Sequence, residues 1–189
     1  MNGQRPGKRQ CQAYQYCGVS HDDPFHRMFL NKHYAQASVA FLRAGRNREA
    51  KICDAYLLRE KARSISTTAN VARIQAFITA ANAFANCARG SPPKQVNERL
   101  AYYGAAGECY LEARDLKNAG DSYRMIEQYD TAVRTYWEGK CVDEMVDVIT
   151  QHGDALDGDL LEQLTRAARM YYFKVHSNSH PVSDIPETI

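Results

Sequence analysis

An alanine–aromatic pattern returns every 13 residues along the second half of this chain. Ala106, Ala119 and Ala132 are 13 apart, as are Tyr110, Tyr123 and Tyr136, and as are Ala113, Ile126 and Gly139. Each unit is an alanine, an aromatic four residues later and a small or apolar residue seven later. Upstream it recurs as Ala37, Phe41 and Ala44, with Ala50 restarting the cycle, and once more as Ala80, Phe84 and Cys87. Residues three, four and seven apart share a helix face, so the alanine and the last residue let a neighbouring helix come close while the aromatic fills the gap. Roughly ten helical residues and a turn of about three complete the period. That places Gly45-Arg46-Asn47, Arg114-Asp115 and Gln128-Tyr129-Asp130 in turns. A helix of ~15 Å cannot bury its face alone and must stack on its neighbours. The expected fold class is all-α: an antiparallel helical-repeat array of about seven or eight short helices, built as a right-handed solenoid.

Proline and alanine agree with this. The six prolines stand at 6, 24, 92, 93, 181 and 186, leaving two long stretches without a helix breaker. There are 25 Ala against 18 Val plus Ile, which favours helix over strand. Ile74, Phe77, Ile78, Ala81, Phe84, Ala85 and Ala88 mark one buried helix face; Leu160, Leu161, Leu164, Ala167, Ala168, Tyr171 and Tyr172 mark another. Asp157 or Asp159 is placed to cap that last helix, and Asp22 and Asp23 before Pro24 to start the first. Arg89-Gly90-Ser91-Pro92-Pro93 is the one obvious internal loop. The domain reading is a polar, basic arm over 1–24, a helical domain over 25–175 and a polar tail over 176–189, both ends disordered.

The spacing Ala-x3-Phe/Tyr-x2-Ala resembles the second-helix signature of tetratricopeptide (TPR) repeats. It departs from them in its shorter period and in lacking a Trp-x2-Leu-Gly first-helix motif, so TPR-like is the apt description. Four stretches resemble the helical segment of fungal TPR-and-ankyrin-repeat-containing, UvrD-like helicase proteins. They are Lys32-His33-Tyr34-Ala35-Gln36-Ala37, Ala55-Tyr56-Leu57-Leu58-Arg59-Glu60, Ala105-Ala106-Gly107-Glu108-Cys109-Tyr110 and Glu144-Met145-Val146-Asp147-Val148-Ile149. The resemblance covers about 32–150 and implies a helical interaction portion of, or relative of, a larger helicase-associated protein. It does not bring the motor: no G-x4-G-K-[ST] occurs, and Gly104-Ala105-Ala106-Gly107-Glu108, the nearest approach, has no lysine.

Charge is bipolar beneath a formal net of +2. Residues 1–99 hold 16 basic and 6 acidic side chains; residues 100–189 hold 8 and 16. The densest basic run is Arg43, Arg46, Arg48, Lys51, Arg59, Lys61 and Arg63, the candidate partner-binding residues. Asp143, Glu144 and Asp147 belong near the opposite end. Such a molecule is suited to meet an acidic protein partner at its basic end or to stack head to tail with itself. The leading functional expectation is therefore a non-catalytic protein-interaction module or scaffold. The alternative is sequence-nonspecific nucleic-acid binding through the basic half, by phosphate contacts without base readout.

Chemistry-bearing motifs are sparse. Cys11, Cys17, His21 and His26 form C-x5-C-x3-H-x4-H, but zinc sites separate their ligand pairs by about a dozen residues, and three is cramped. His176 and His180 straddle the polar tail, and the acidic run Asp154, Asp157, Asp159 and Glu162 misses the calcium-loop register. No strained nucleophile turn such as G-x-S-x-G occurs. Cys53, Cys87, Cys109 and Cys141 fall at apolar helical positions and read as reduced core residues, which suits an intracellular setting, cytoplasmic or nuclear. No apolar run approaches the ~18–20 residues a membrane span needs, and residues 1–10 carry no secretory h-region. The expectation is no catalytic residues, no metal, no cofactor and no membrane.

Overall fold

The computed structural model describes residues 24–179, and among these every α-helix or 3-10 turn follows the last with no strand between. The helices are α1 (Pro24–Leu30), α2 (Tyr34–Arg43), α3 (Asn47–Ser64), α4 (Asn70–Arg89), α5 (Val96–Glu112), α6 (Leu116–Arg124), α7 (Tyr129–Glu138) and α8 (Val142–His152). A 3-10 turn (Gly153–Ala155) then leads to α9 (Gly158–Ser179). Nine helices are thus described where about seven or eight short ones were expected. The uniform ~15 Å length does not hold either: α3, α4 and α5 have 18, 20 and 17 residues, close to twice that. α9 runs past 175 to Ser179, and Pro24 opens α1 rather than closing the arm. Residues 1–23 and 180–189, with Cys11, Cys17, His21 and His180, lie outside the described residues, as do the side chains of His26 and His176.

The 13-residue period has a concrete cause. Lys32, Gly45, Arg114, Glu127 and Lys140 all sit at φ between 58° and 72°, the left-handed region. The first two are 13 apart, and so are the last three in succession. Each closes the same double hydrogen bond at a helix end. Arg114 N donates to Leu111 O and Asp115 N to Tyr110 O; Glu127 N donates to Arg124 O and Gln128 N to Tyr123 O; Lys140 N donates to Trp137 O and Cys141 N to Tyr136 O. Lys32 with His33, and Gly45 with Arg46, repeat the pattern upstream. This Schellman motif satisfies carbonyls that a helix end would otherwise leave bare. The repeat tyrosine supplies the outermost carbonyl. The residue after the left-handed one is already the N-cap of the next helix: His33, Arg46, Asp115, Gln128 and Cys141. Asp115 caps with its own carboxylate, accepting from Asn118 N.

Helices pack chiefly on their chain neighbours. α5 meets α6 and the turn after it by pairing Gly104 with Ile126 and Gly107 with Tyr123; α6 meets α7 and its C-cap by pairing Gly120 with Tyr136 and Leu116 with Gly139. In each pair the residue number rises on one helix as it falls on the other, so the neighbours run antiparallel. Other links skip one helix. Phe29 of α1 meets the Tyr56 ring of α3 edge-on at 5.1 Å, Arg48 of α3 reaches Glu98 of α5, and Lys117 and Arg124 of α6 reach Glu144 and Asp147 of α8 at 3.0 and 2.7 Å.

Alanines 106, 119 and 132 are fully buried, as the repeat requires, and Tyr110, Tyr123 and Tyr136 are buried with them. Phe77, Ala81, Phe84, Ala85 and Ala88 are buried on α4, with Ile74 and Ile78 packed at the edge. Asp157 caps α9, its Oδ1 accepting from Leu160 N at 3.0 Å. Cys53 and Cys109 are buried, whereas Cys87 and Cys141 are only half-buried. A second internal loop, Ile65–Ala69, separates α3 from α4; there Ser66 Oγ accepts from Thr68 N, a turn made by hydroxyl chemistry without glycine or proline.

Candidate functional site

The seven basic residues do not form one patch. Arg43 ends α2 and is exposed. Arg46 lies over the Phe41 ring, its guanidinium carbon 4.7 Å from the ring centre, and pairs with Glu49 at 3.0 Å. Arg63 pairs with Glu60 at 3.0 Å. Lys51 and Lys61 are exposed on α3, ten residues and so ~15 Å apart, with exposed Asp54 on the same face between them.

Arg48 and Arg59 point inward. Arg59 is 3% exposed, with its guanidinium over Tyr56 and Phe84 at 4.8 and 5.3 Å. It takes its place in a helical stripe, Ile52, Ala55, Tyr56, Arg59 and Ala62, every member of which is buried. Its Nε has no hydrogen-bond partner, and Glu60 Oε1 approaches no nearer than 3.9 Å. The aromatic faces therefore supply the compensation, worth about 2 kcal/mol when such a cation is desolvated. Arg48 Nη2 sits 2.7 Å from Glu98 Oε2, an ion pair. Glu98 is 1% exposed, and its other oxygen accepts from Tyr102 Oη at 2.6 Å. Burial works to lower the Arg48 pKa, but Glu98 beside it outweighs that and raises it. Arg48 thus neutralises a carboxylate inside the α3–α4–α5 packing.

Two of the repeat tyrosines behave alike. Tyr110 Oη donates to Asn82 of α4 at 2.7 Å, and Tyr136 Oη donates to Asp121 of α6 at 2.6 Å. Each ring is buried while its hydroxyl ties back to the preceding helix. Burial first, then the Asp121 hydrogen bond, pushes the Tyr136 phenol well above its ordinary value. Burial also pushes the Cys87 and Cys109 thiols up to about 11 and about 12. These thiols stay protonated at neutral pH and are poor nucleophiles.

Two groups went unseen in the sequence. Gly107 and Gly120 each follow a repeat alanine. A Cβ at Gly120 would lie 2.5 Å from the Tyr136 ring, and one at Gly107 would lie 3.2 Å from Tyr123. Tyr123 and Tyr136 therefore each rest on the glycine 16 residues before them.

Among the described residues, no group of three or more His, Cys, Asp or Glu is placed to hold a metal ion. No helix there is long and apolar enough to cross a membrane. The described chain is an all-α protein of helices packed in sequence-adjacent pairs. No protein-family model, curated protein or solved structure matches it.

Proposed function

We propose that this chain is a non-catalytic protein-interaction module, a TPR-like right-handed array whose stacked antiparallel helices offer their outer faces to a protein partner. The observation that carries the reading is the reuse of one turn at 13-residue steps, with a tyrosine at the last three of those helix ends. A chain that spends its sequence on repeated stacking builds an extended surface rather than a closed pocket. Links between α1 and α3, α3 and α5, and α6 and α8 support a two-layer stack. In the setting that the helicase-protein resemblance implies, the partner is another domain of a larger protein. Its acidic residues meet the exposed cations Arg43, Lys51 and Lys61, since Arg48 and Arg59 are occupied inside the fold.

The test titrates the full chain with glutamate-rich peptides, and separately with mixed-sequence single-stranded DNA and RNA, across a salt series. The expected result is saturable peptide binding that Arg43→Glu, Lys51→Glu and Lys61→Glu together abolish while folding is kept. Tight nucleic-acid binding that falls steeply with salt would replace this reading with the alternative. ATP turnover by the pure chain would refute the non-catalytic claim.

A further inference from the structure

Exposed serine and threonine outside the helices gather in one place. Among the described residues, Ser66, Thr67, Thr68 and Ser91 stand outside helices, and Ser91 is buried with its hydroxyl donating to Cys87 O. Thr79 and Thr150 are exposed but helical, and each hydroxyl donates to the carbonyl four residues back. Ser64 closes α3 and donates to Lys61 O. An enzyme that modifies a protein hydroxyl takes the segment around it in extended form, with the hydroxyl against a catalytic carboxylate. The loop between α3 and α4 meets that demand. Ile65 is already extended, at φ −71° and ψ 131°, and its N–H reaches Ala62 O only at 3.3 Å, so the last turn of α3 opens readily.

The residues before the loop select the class of enzyme. Arg63 stands three positions before Ser66 and Lys61 five before it, and no Asp or Glu occurs between Glu60 and Glu98. Thr67 and Thr68 have Ser64 and Ile65 in the place that Arg63 holds for Ser66, and no proline follows any of the three. Arg63 is exposed, and its pairing with the equally accessible Glu60 gives way easily to a carboxylate of a partner. Four residues on, α4 opens without an acidic residue in its first turn, so nothing there repels added negative charge.

We propose that Ser66 is a phosphorylation site for an arginine-directed protein kinase, and that the phosphate weakens capture of an acidic partner beside Lys61. Ser66 Oγ attacks the γ-phosphorus of magnesium ATP. The new O–P bond forms as the bond from that phosphorus to the bridging oxygen breaks; ADP leaves with the electron pair, and the hydroxyl proton passes to the kinase's carboxylate. The phosphate brings about two negative charges at neutral pH, enough to offset Lys61 and Arg63. This second part rests on the protein-binding reading above; the site itself does not.

The test incubates the folded full chain with magnesium ATP and the catalytic subunit of cyclic-AMP-dependent protein kinase, and locates phosphate by fragment mass spectrometry. The expected result is phosphate on Ser66 and none on Thr67 or Thr68. Arg63→Ala should slow modification of Ser66 about tenfold or more at unchanged helicity. An unmodified Ser66, or a rate indifferent to Arg63→Ala, overturns the site. The chain phosphorylated at Ser66 should bind glutamate-rich peptides about tenfold more weakly than the untreated chain at low salt, while Ser66→Ala taken through the same treatment should bind as before. Equal binding with and without the Ser66 phosphate overturns the switch. Peptides that fail to bind the untreated chain remove the protein-binding reading and the switch with it, and leave the site to stand on the mass spectra.

Discussion

Alanine substitution at three glycines of α5 and α6 should move stability in three different directions. Replacing glycine by alanine inside a helix ordinarily gains about 1 kcal/mol, because the unfolded chain loses freedom and helix propensity rises. At Gly104 the nearest atom to an added Cβ is Ile126 Cδ1 at 3.8 Å, an ordinary contact, so Gly104→Ala should stabilise by about 0.5–1 kcal/mol. At Gly107 the methyl meets Tyr123 and Ser122 at 3.2 and 3.3 Å. Relief of a few tenths of an ångström should roughly cancel the gain there, leaving a net change within about 0.5 kcal/mol. At Gly120 three atoms of the Tyr136 ring lie 2.5, 2.6 and 2.8 Å away. That ring is fully buried and its hydroxyl is held by Asp121 on the same helix as Gly120, so it cannot swing clear without losing the bond. Overpacking of about 2–3 kcal/mol then exceeds the helix gain, for a net loss of about 1–2 kcal/mol. Thermal unfolding followed by circular dichroism reads this as a midpoint lowered by roughly 2–8 °C for Gly120→Ala and raised by about 1–4 °C for Gly104→Ala. A rise at Gly120, or equal shifts at all three, would refute the close approach of α6 and α7.

Other consequences are open to the same assay. Arg114→Gly, Glu127→Gly and Lys140→Gly should each add about 0.5–1 kcal/mol by relieving left-handed backbone, whereas Gly45→Ala, whose Cβ meets nothing within 4 Å, should lose about 1 kcal/mol from backbone strain alone; denaturant midpoints check both signs. Arg48→Met strands the buried Glu98 and should cost about 2 kcal/mol in chemical unfolding, so reversing Arg46, Arg48 and Lys51 together to Glu should lower stability, while the exposed set Arg43, Lys51 and Lys61 should leave it nearly unchanged. The folded chain holds the Cys87 and Cys109 thiols protonated up to about 11 and about 12, against 9.0 when unfolded. Their contribution is complete below pH 9 and is lost as pH rises through those values, so denaturation midpoints should fall in that alkaline window and fall less in a Cys87→Ala, Cys109→Ala variant.

The repeat was readable because buried alanine and aromatic positions are dictated by helix geometry, and Ala106, Ala119 and Ala132 sit where their spacing put them. The length of α3, α4 and α5 was not, since none of them contains a proline to mark a stop. The loop at Ile65–Ala69 escaped notice because Ser66 and Thr68 turn the chain by hydroxyl bonds. Left-handed residues hid behind ordinary identities: only Gly45 announces its φ, while Lys32, Arg114, Glu127 and Lys140 are recognisable by register alone. The basic cluster misled for a different reason. Proximity in sequence says nothing of direction, and the carboxylate that claims Arg48 is 50 positions away. The burial of Arg59 did leave a signal, its place three residues beyond Tyr56 in an apolar helical stripe.

Where one residue is both the end of a helix cap and the start of the next helix, the chain has no slack. Inserting or deleting a single residue at Lys32, Gly45, Arg114, Glu127 or Lys140 rotates everything downstream by about 100° and turns its buried stripe toward water. The joints around α2 and from α5 through α8 are therefore closed to length change. Two of the longer connections, residues 65–69 and 90–95, carry no left-handed joint of this kind. Those are the places where a tag, a cleavage site or a grafted loop can be added while every helix keeps its facing.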